Sequence, residues 1–586
     1  MIDNMNEITQ FSDYGGTLFL ESVPGDTSDR REPENEAKAG VGVERTMYCY
    51  APVSGCPDFK QTQVVMVLRN SNDEASAREV MERLELDKLA EEKHFLLLFP
   101  NPTDEGWNYN ADPSRENDMD YLIRSFSVLR GGRLGVHGFN GMTFYIADSP
   151  EASAMLMTFA ALKPLNVPAI MIDNFPDGYS IPADALNVET AAWSSNPTAT
   201  AYLVDANGVD LIEGEEEDGV TTYYGKNPNV RLLVTERRIN SESIRIAWER
   251  LFSETRRWQN DTFGTYQKRT NFTERGFIPH VDDTSLGVNN GYAHTWYEYI
   301  PPQLRGTQDK VPLLFYFHGG ACVPLYGAEQ SDWHNIADQE NFIVIYPKAS
   351  YNNMWNAWND PRLPSDRDFV LALIEHIKTV HPIDETRIYV SGFSMGGMMS
   401  NAMACALPEV IAAAAPCNAY NQGYFSTYDI MMGRLKGVSE QVNAEEAEPT
   451  PVRVEADKKK EVYDYRVPVF QVSGLMDGKW PIEDPNDERM DTFNYWKKYN
   501  NIPTESFVYN SAYESGLTSD ETFYDGDDQR FLHHRWYSRD EGNPSLYELF
   551  LAKRMPHAVD LRTFEYAWEF MKKFSRNPDG SLNISE

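Results

Sequence analysis

The sequence predicts an α/β protein built as two domains, each a mostly parallel sheet with helices between its strands. Three observations carry this. The chain has 586 residues, too many for one hydrophobic core, since cores stop growing at roughly 250–300 residues. Short apolar runs of buried-strand type alternate with helical stretches. And one series of landmarks occurs twice in the same order.

The repeat starts with ERTMYCYAP (44–52) against HTWYEYIPP (294–302), each an extended segment closed by proline. The apolar runs QVVMVLRN (63–70) and VPLLFYFHG (311–319) follow. LAEEKHFLLLFPNP (89–102) then matches IADQENFIVIYPKA (336–349), and Trp107 matches Trp355. DPSRENDMDYLIRSF (112–126) matches DPRLPSDRDFVLALI (360–374), with Asp118 and Asp120 against Asp366 and Asp368. RLGVHGFNGM (133–142) closes the series against RIYVSGFSMGG (387–397). The domains are therefore expected at 30–262 and 270–586, joined through the polar, aperiodic stretch 256–276. The acidic run EGEEEDG (213–219) and the mixed-charge stretch 443–461 are expected to be solvated loops.

Composition narrows the function. A hydrophobic fraction of 41% with 12% aromatics is enough for packed cores and excludes a disordered chain. With 89 acidic against 53 basic side chains the net charge is −36, which disfavours nucleic acid as a partner. No run of 18 apolar residues appears, so no membrane span is expected. The N-terminal stretch lacks a secretory pattern, and five scattered cysteines suit a reducing compartment. The expected location is cytoplasmic, with secretion after signal removal as the alternative; a Cys405–Cys417 bridge stays open.

The chemistry is concentrated in TRIYVSGFSMGGMMSNAMACALPE (386–409). Ile388 to Val390 is a short strand, Gly392-Phe393-Ser394-Met395-Gly396 a G-x-S-x-G turn, and a helix follows that stops at Pro408. So tight a strand-to-helix turn leaves no room for side chains two residues either side of the serine. It lifts the Ser394 hydroxyl above the sheet at a helix N-terminus, which makes Ser394 the nucleophile. Serine needs a base, and in this architecture the acid and then the histidine follow it. Asp477 lies just past the apolar run 467–473 and is the expected acid; Asp484, Asp487 and Asp491 fall further on, at a helix start. Of the later histidines, His557 lies on a loop between a strand and the terminal amphipathic helix, whereas His533 and His534 alternate along a strand. His557 is thus the expected base. The amides of Met395 and Gly320 are the expected oxyanion donors, with Ala321 as the alternative to Gly320, and His318 braces their loop. No metal motif and no phosphate-cradling loop is present, so no cofactor is expected; DGDD (525–528) reads as a hairpin tip.

At these residues the C-terminal half resembles a known family. HGGA, WHNIADQENFIVIYPKA, WNAW, GFSMGG, GLMDGKWP and MPHAV are similar to the polyhydroxybutyrate depolymerase and feruloyl-esterase group of α/β-hydrolases, over roughly 285–575. The resemblance implies an α/β-hydrolase fold and a serine carboxylesterase using Ser394, Asp477 and His557 on feruloyl, acetyl or polyester-type esters. Two segments, 417–466 and 500–545, are longer than connections require and are expected as cap or lid. Beneath such a cap Trp355, Trp358 and Trp480 are candidate substrate contacts. The N-terminal copy has Asn140 where the motif alignment puts the nucleophile and no later histidine of its own, so it is expected to be a degenerate, non-catalytic hydrolase-like domain. The competing readings are a serine peptidase of the prolyl-oligopeptidase kind and a non-catalytic scaffold; homo-oligomerisation is left open.

Overall fold

The computed structural model describes residues 5, 8–11, 13–25, 44–57, 60–131, 133–136, 138–357, 363–420, 465–504 and 507–585. The chain divides into two compact units, Met1–Asn271 and Phe272–Glu586.

The second unit is a ten-stranded sheet. Its strands in chain order are β1 (Ile278–Asp283), β2 (His294–Tyr299), β3 (Val311–Phe317), β4 (Ile343–Pro347), β5 (Ile383–Phe393), β6 (Ile411–Cys417), β7 (Val469–Gly474), β8 (Glu521–Asp525), β9 (Phe531–Tyr537) and β10 (Ser545–Ala552). Across the sheet they lie β1-β2-β4-β3-β5-β6-β7-β10-β9-β8. The middle run from β4 to β10 is parallel, and the strands at both edges are antiparallel. Every residue of β3, β4, β6 and β7 is buried, which is why these segments read as continuous apolar runs without alternation. Among the described residues its longer helices are α1 (Pro324–Ser331), α2 (Trp333–Glu340), α3 (Asp366–Val380), α4 (Met395–Ala406), α5 (Glu488–Tyr499) and α6 (Arg562–Met571). Helix α6 buries Phe564, Ala567, Trp568 and Met571. Trp568 stacks on Phe342 and meets Trp333 and Tyr389 edge-on.

The first unit carries a ten-stranded sheet as well. From one edge to the other its strands are Leu18–Val23, Arg45–Tyr50, Leu96–Pro100, Val64–Leu68, Thr143–Ala147, Ala169–Ile172, Ala191–Ser194, Arg231–Thr235, Val220–Tyr224 and Glu215–Glu217. Counted along the chain, this is the same order as in the second unit, with the same parallel middle and antiparallel edges.

The likeness extends to single hydrogen bonds. Trp355 Nε1 donates to the carbonyl of His318, the first residue past β3, at 2.7 Å. Trp107 Nε1 donates to the carbonyl of Arg69, the first residue past Val64–Leu68, at 2.8 Å. The next residue, Asn356 or Asn108, gives its backbone N–H to a buried carboxylate at the start of a helix, Asp366 or Asp118. Asp366 also accepts from Ser350 N and Oγ, while Asp118 accepts from Arg45. The acidic pair seen twice in the sequence thus includes, in each unit, the residue that pins the loop after the fourth strand.

Several expectations are corrected. Asn140 does not stand at an elbow: Asn140–Met142 is a 3-10 turn ahead of the strand Thr143–Ala147. In the first unit Leu68 pairs with Ala147, as Phe317 pairs with Gly392 in the second. Two residues on, Ser149 caps the helix Pro150–Leu162, as Ser394 stands at the start of α4. Ser149 is therefore the residue at the elbow position. The boundary between the units, Asn271/Phe272, falls inside the expected stretch 256–276, but part of that stretch is ordered structure: Thr255–Trp258 and Thr265–Lys268 form a hairpin with Arg256 and Arg257 buried. That hairpin packs so closely that a Cβ on Gly141 would lie 1.9 Å from the Arg257 carbonyl oxygen. Glu215–Glu217 is an edge strand, and three exposed carboxylates there keep the edge from pairing with another sheet. In 500–545, β8 and β9 complete the sheet where cap material was expected, and the residues between them form the hairpin tip read from DGDD. Residues 421–464, most of the other expected excursion, lie outside the described residues. All five cysteines are free thiols, and Cys405 Sγ meets Tyr495 Oη at 3.2 Å in place of a bridge to Cys417.

Removing the Asp366 carboxylate strands three donors in the interior. Asp366→Ala is expected to destabilise the second unit by about 2–4 kcal/mol, read as a shifted urea midpoint at unchanged slope; a midpoint equal to wild type would contradict the pinning role.

Candidate active site

Strand β5 turns into α4 at Ser394, whose backbone sits at φ 55°, ψ −119°. This left-handed conformation costs a non-glycine residue of order 1–3 kcal/mol and persists only where the surroundings over-determine it. The surroundings here are the glycines on either side. A Cβ on Gly396 would stand 1.9 Å from the Phe317 carbonyl oxygen, and one on Gly392 would stand 2.3 Å from the Gly396 oxygen. The Ser394 N–H is held by the carbonyl of Cys417, at the end of β6, at 2.8 Å.

The loop after β7 is a tight turn, with Asp477 N donating to Gly474 O at 3.0 Å. Its neighbour Met476 N donates to Met555 O at 3.0 Å, which ties the acid's turn to the loop after β10. That loop carries His557. The structure brings the three expected residues together: His557 Nδ1 lies 2.9 Å from Asp477 Oδ2, and Nε2 lies 2.9 Å from Ser394 Oγ. With Asp477 ionised, the tautomer that fits both contacts carries its proton on Nδ1 and leaves Nε2 as acceptor for the serine hydroxyl. The Phe393 ring packs against the imidazole at 4.9 Å between centroids.

Gly320 faces the first turn of α4, since a Cβ there would lie 3.2 Å from Met395 Sδ and 3.4 Å from Met354 Sδ. Of the two candidate loop amides, Ala321 N–H is already given to Asn353 O at 2.9 Å. Met395, as the first helical residue, has no acceptor for its N–H within the helix. His318 is fully buried between these parts. Its Nδ1 meets Gly319 O at 2.7 Å, and its Nε2 accepts from Ala349 N at 3.1 Å. Both contacts fit a neutral ring, and burial pushes its pKa down to about 4. His318 is therefore a brace, as expected.

The tryptophans behave differently. Trp355 is buried with its indole N–H on His318 O, so it supports the loop and does not face a substrate; this corrects the expectation. Trp358 lies outside the described residues. Trp480 is half-buried beneath the Arg489 guanidinium, 4.5 Å from its ring centroid, beside the acid's turn. Asp487 caps α5 and pairs with Arg489, the helix-start role expected of it. His533 pairs with Glu548 and His534 with Ser515, both inside the sheet. Sequence reasoning missed Met354, which the loop Ser350–Ala357 carries to Gly320; no periodicity marks it, and only the Ala321–Asn353 bond across two loops shows where it goes.

At the elbow position of the first unit Ser149 is extended, at φ −157°, ψ 165°. Pro150 follows it, and a proline confines the preceding residue to extended backbone. The Ser149 hydroxyl accepts from Ala152 N and donates to Asn70 Oδ1 at 2.6 Å. The Asn70 amide in turn donates to Glu151.

Among the described residues no group of three or more His, Cys, Asp or Glu side chains is placed to hold a metal ion, and no helix is long and apolar enough to cross a membrane.

No family model matches the chain. Curated proteins do. The chain is 36% identical over 123 residues to a bifunctional acetylxylan esterase/xylanase of Neocallimastix patriciarum, covering 21% of this chain and 17% of that one. It is 30% identical over 141 residues to poly(3-hydroxyalkanoate) depolymerase C of Paucimonas lemoignei, covering 23% and 33%. It is 31% identical over 124 residues to feruloyl esterase B of Talaromyces funiculosus, covering 20% and 34%. Two of these three relatives are named as esterases and the third as a poly(3-hydroxyalkanoate) depolymerase. The match spans between 17% and 34% of the length of these three. Among solved structures, an acetyl xylan esterase from Aspergillus awamori aligns with a TM-score of 0.34 at 16% identity, over 51% of this chain and 99% of that one.

Burial lowers four histidines of the second unit, His294 and His318 to about 4, His334 and His534 to about 3. An unfolded histidine binds its proton near 6.5, so stability is full above that pH and falls as pH drops from 6.5 toward about 4 for His294 and His318 and toward about 3 for His334 and His534. Denaturant unfolding at pH 7.5 and pH 5 is expected to show a loss on the order of 1–2 kcal/mol per histidine, and His318→Asn to flatten the dependence. Equal stability at the two pH values would contradict this.

Proposed function

We propose that the second unit is a serine carboxylesterase acting through an acyl-enzyme. The observation that carries the reading is His557, within hydrogen-bond distance of both Asp477 and Ser394 on a strained strand-to-helix turn. Ser394 Oγ attacks the ester carbonyl carbon while His557 Nε2 takes its proton. Asp477 stabilises the resulting imidazolium through Nδ1–H. The N–H groups of Met395 and Gly320 receive the oxyanion. Collapse of the tetrahedral intermediate breaks the bond to the alkoxy oxygen, which leaves with the proton from His557. A water then repeats the sequence on the acyl-enzyme and releases the acid. Substrates are feruloyl or acetyl esters of polysaccharides, or polyester-type esters, in line with the named activities of the relatives.

Ser394→Ala is expected to lower kcat on a p-nitrophenyl acyl ester by on the order of 10⁴-fold or more with an unchanged unfolding midpoint. Retained activity in that variant would sink the reading. A panel of methyl ferulate, acetylated xylan, short acyl esters and hydroxybutyrate oligomers separates the substrate classes; preference for peptide amides would favour a peptidase.

The first unit we read as a non-catalytic relative of the second. Its elbow serine is extended and bonded to Asn70 rather than to a histidine. Ser149→Ala is expected to leave hydrolysis within about twofold, and a large loss would assign the first unit a part in the chemistry. Five free thiols support a reducing, cytoplasmic compartment; recovery of the protein only from the extracellular fraction of its host would overturn that assignment.

A further inference from the structure

The two loops that carry Asp477 and His557 come from different strands, and the backbone bond from Met476 N to Met555 O already joins them at one point. A catalytic constellation tolerates only about 0.5 Å of error, so something must tie these loops to each other and to the elbow. One buried residue touches both. Asn418 directly follows β6, is 5% exposed, and sits at φ 50°, a conformation asparagine tolerates better than most residues. Its backbone N–H donates to Val472 O, inside β7, at 2.8 Å. Its side-chain Oδ1 accepts from Gly474 N at 3.1 Å, three residues before Asp477. Its side-chain Nδ2 donates to the carbonyl of Ala558, the residue after His557. The residue before it, Cys417, holds the Ser394 N–H.

We propose that Asn418 is a positioning residue for the reaction, its amide group fixing the distance between the acid's strand end and the histidine's loop. This rests on the esterase reading for what the constellation does, but not for how the groups are held. The carboxamide suits the role because it offers one acceptor and one donor on a short stem, without a charge that would compete for His557. The site is dry enough for both bonds to matter, since a buried amide left without partners costs about 1–3 kcal/mol. The left-handed backbone turns the side chain of Asn418 across the ends of β7 and β10, where a right-handed or extended residue would aim it elsewhere. Gly474 allows this approach: a Cβ there would stand 2.0 Å from the Met555 carbonyl oxygen, on the same histidine-bearing loop. The three loops of the site thus meet at the dipeptide Cys417–Asn418.

Two variants separate positioning from plain stability. Asn418→Gly accepts the positive φ and deletes both side-chain bonds. Asn418→Asp keeps the shape and the acceptor for Gly474 N–H but turns an oxygen toward Ala558 O. The readouts are the rate at which a fluorophosphonate labels Ser394, kcat and KM on a p-nitrophenyl ester, and the thermal midpoint, all per titrated active site. Both variants are expected to slow labelling and kcat by roughly 10–100-fold with KM within about twofold. Labelling and kcat within about twofold of wild type in either folded variant would overturn the proposal. So would a loss of kcat that disappears once counted per titrated site, because a merely structural residue changes the folded fraction and not the rate. Should the wild type hydrolyse no ester, the esterase reading fails, and the labelling rate still reports on the positioning.

Discussion

In the second unit the Phe317 carbonyl oxygen lies where a side chain on Gly396 would have to be. Strand β3, strand β5 and the start of α4 are pressed together at that point, and the space between them admits backbone only. The close fit sets the rest of the site. It holds Ser394 in a backbone conformation that the residue would leave if the turn could relax. It brings the loop after β3, with Gly319 and Gly320, alongside the helix N-terminus. And because β3 and β5 are neighbours at the middle of a parallel sheet, the loops after β6, β7 and β10 open on the same edge. That edge is where parallel sheets place their ligands.

The first unit shows what the same sheet does without this constraint. It keeps the strand order, the tryptophan on the carbonyl past the third strand, and the buried aspartate at the next helix start. Here Ala147 and Glu151 stand where the second unit has Gly392 and Gly396, and Pro150 holds Ser149 extended. The serine hydroxyl turns to Asn70, and the strand-to-helix passage becomes an ordinary capped helix start. Architecture and reactivity are thus separable: the loop clasps build the sheet's active edge, and the close fit at Gly392 and Gly396 makes the elbow.

Much of this was legible in the sequence because it depends on local rules. The G-x-S-x-G turn announces itself through steric need, and Asp477 and His557 follow from chain order and from lying past apolar strands. What failed were inferences that needed three-dimensional register. Asn140 sits in a glycine-rich phrase much like the one around Ser394, yet the true equivalent strand is the apolar TFYIA that comes next, with Ser149 beyond it. Trp355 looked like a pocket wall because aromatic residues near a loop carry no sign of which way they face; its indole N–H was claimed by His318 O. Segment 500–545 looked like an insertion although FLHHRWYS alternates as a strand does, because alternation does not show that the strand joins the edge of the main sheet. Asn418 left no mark at all, since its partners lie 56 and 140 residues away along the chain.

Two sheets of one order on a single chain also raise a question of assembly. Equivalent strands such as Val64–Leu68 and Val311–Phe317 are both apolar, and each is shaped to sit between the same pair of neighbours. During synthesis the first sheet can close before the second is made, since chains emerge at about 5–20 residues per second and domains form as they appear. On refolding from denaturant that order is lost, because both sets of strands are released at once. The carboxylates of Glu215–Glu217 guard one sheet edge while the strands sort. Synthesis of the first half before the second thus separates in time two sets of strands that hold equivalent places in their sheets.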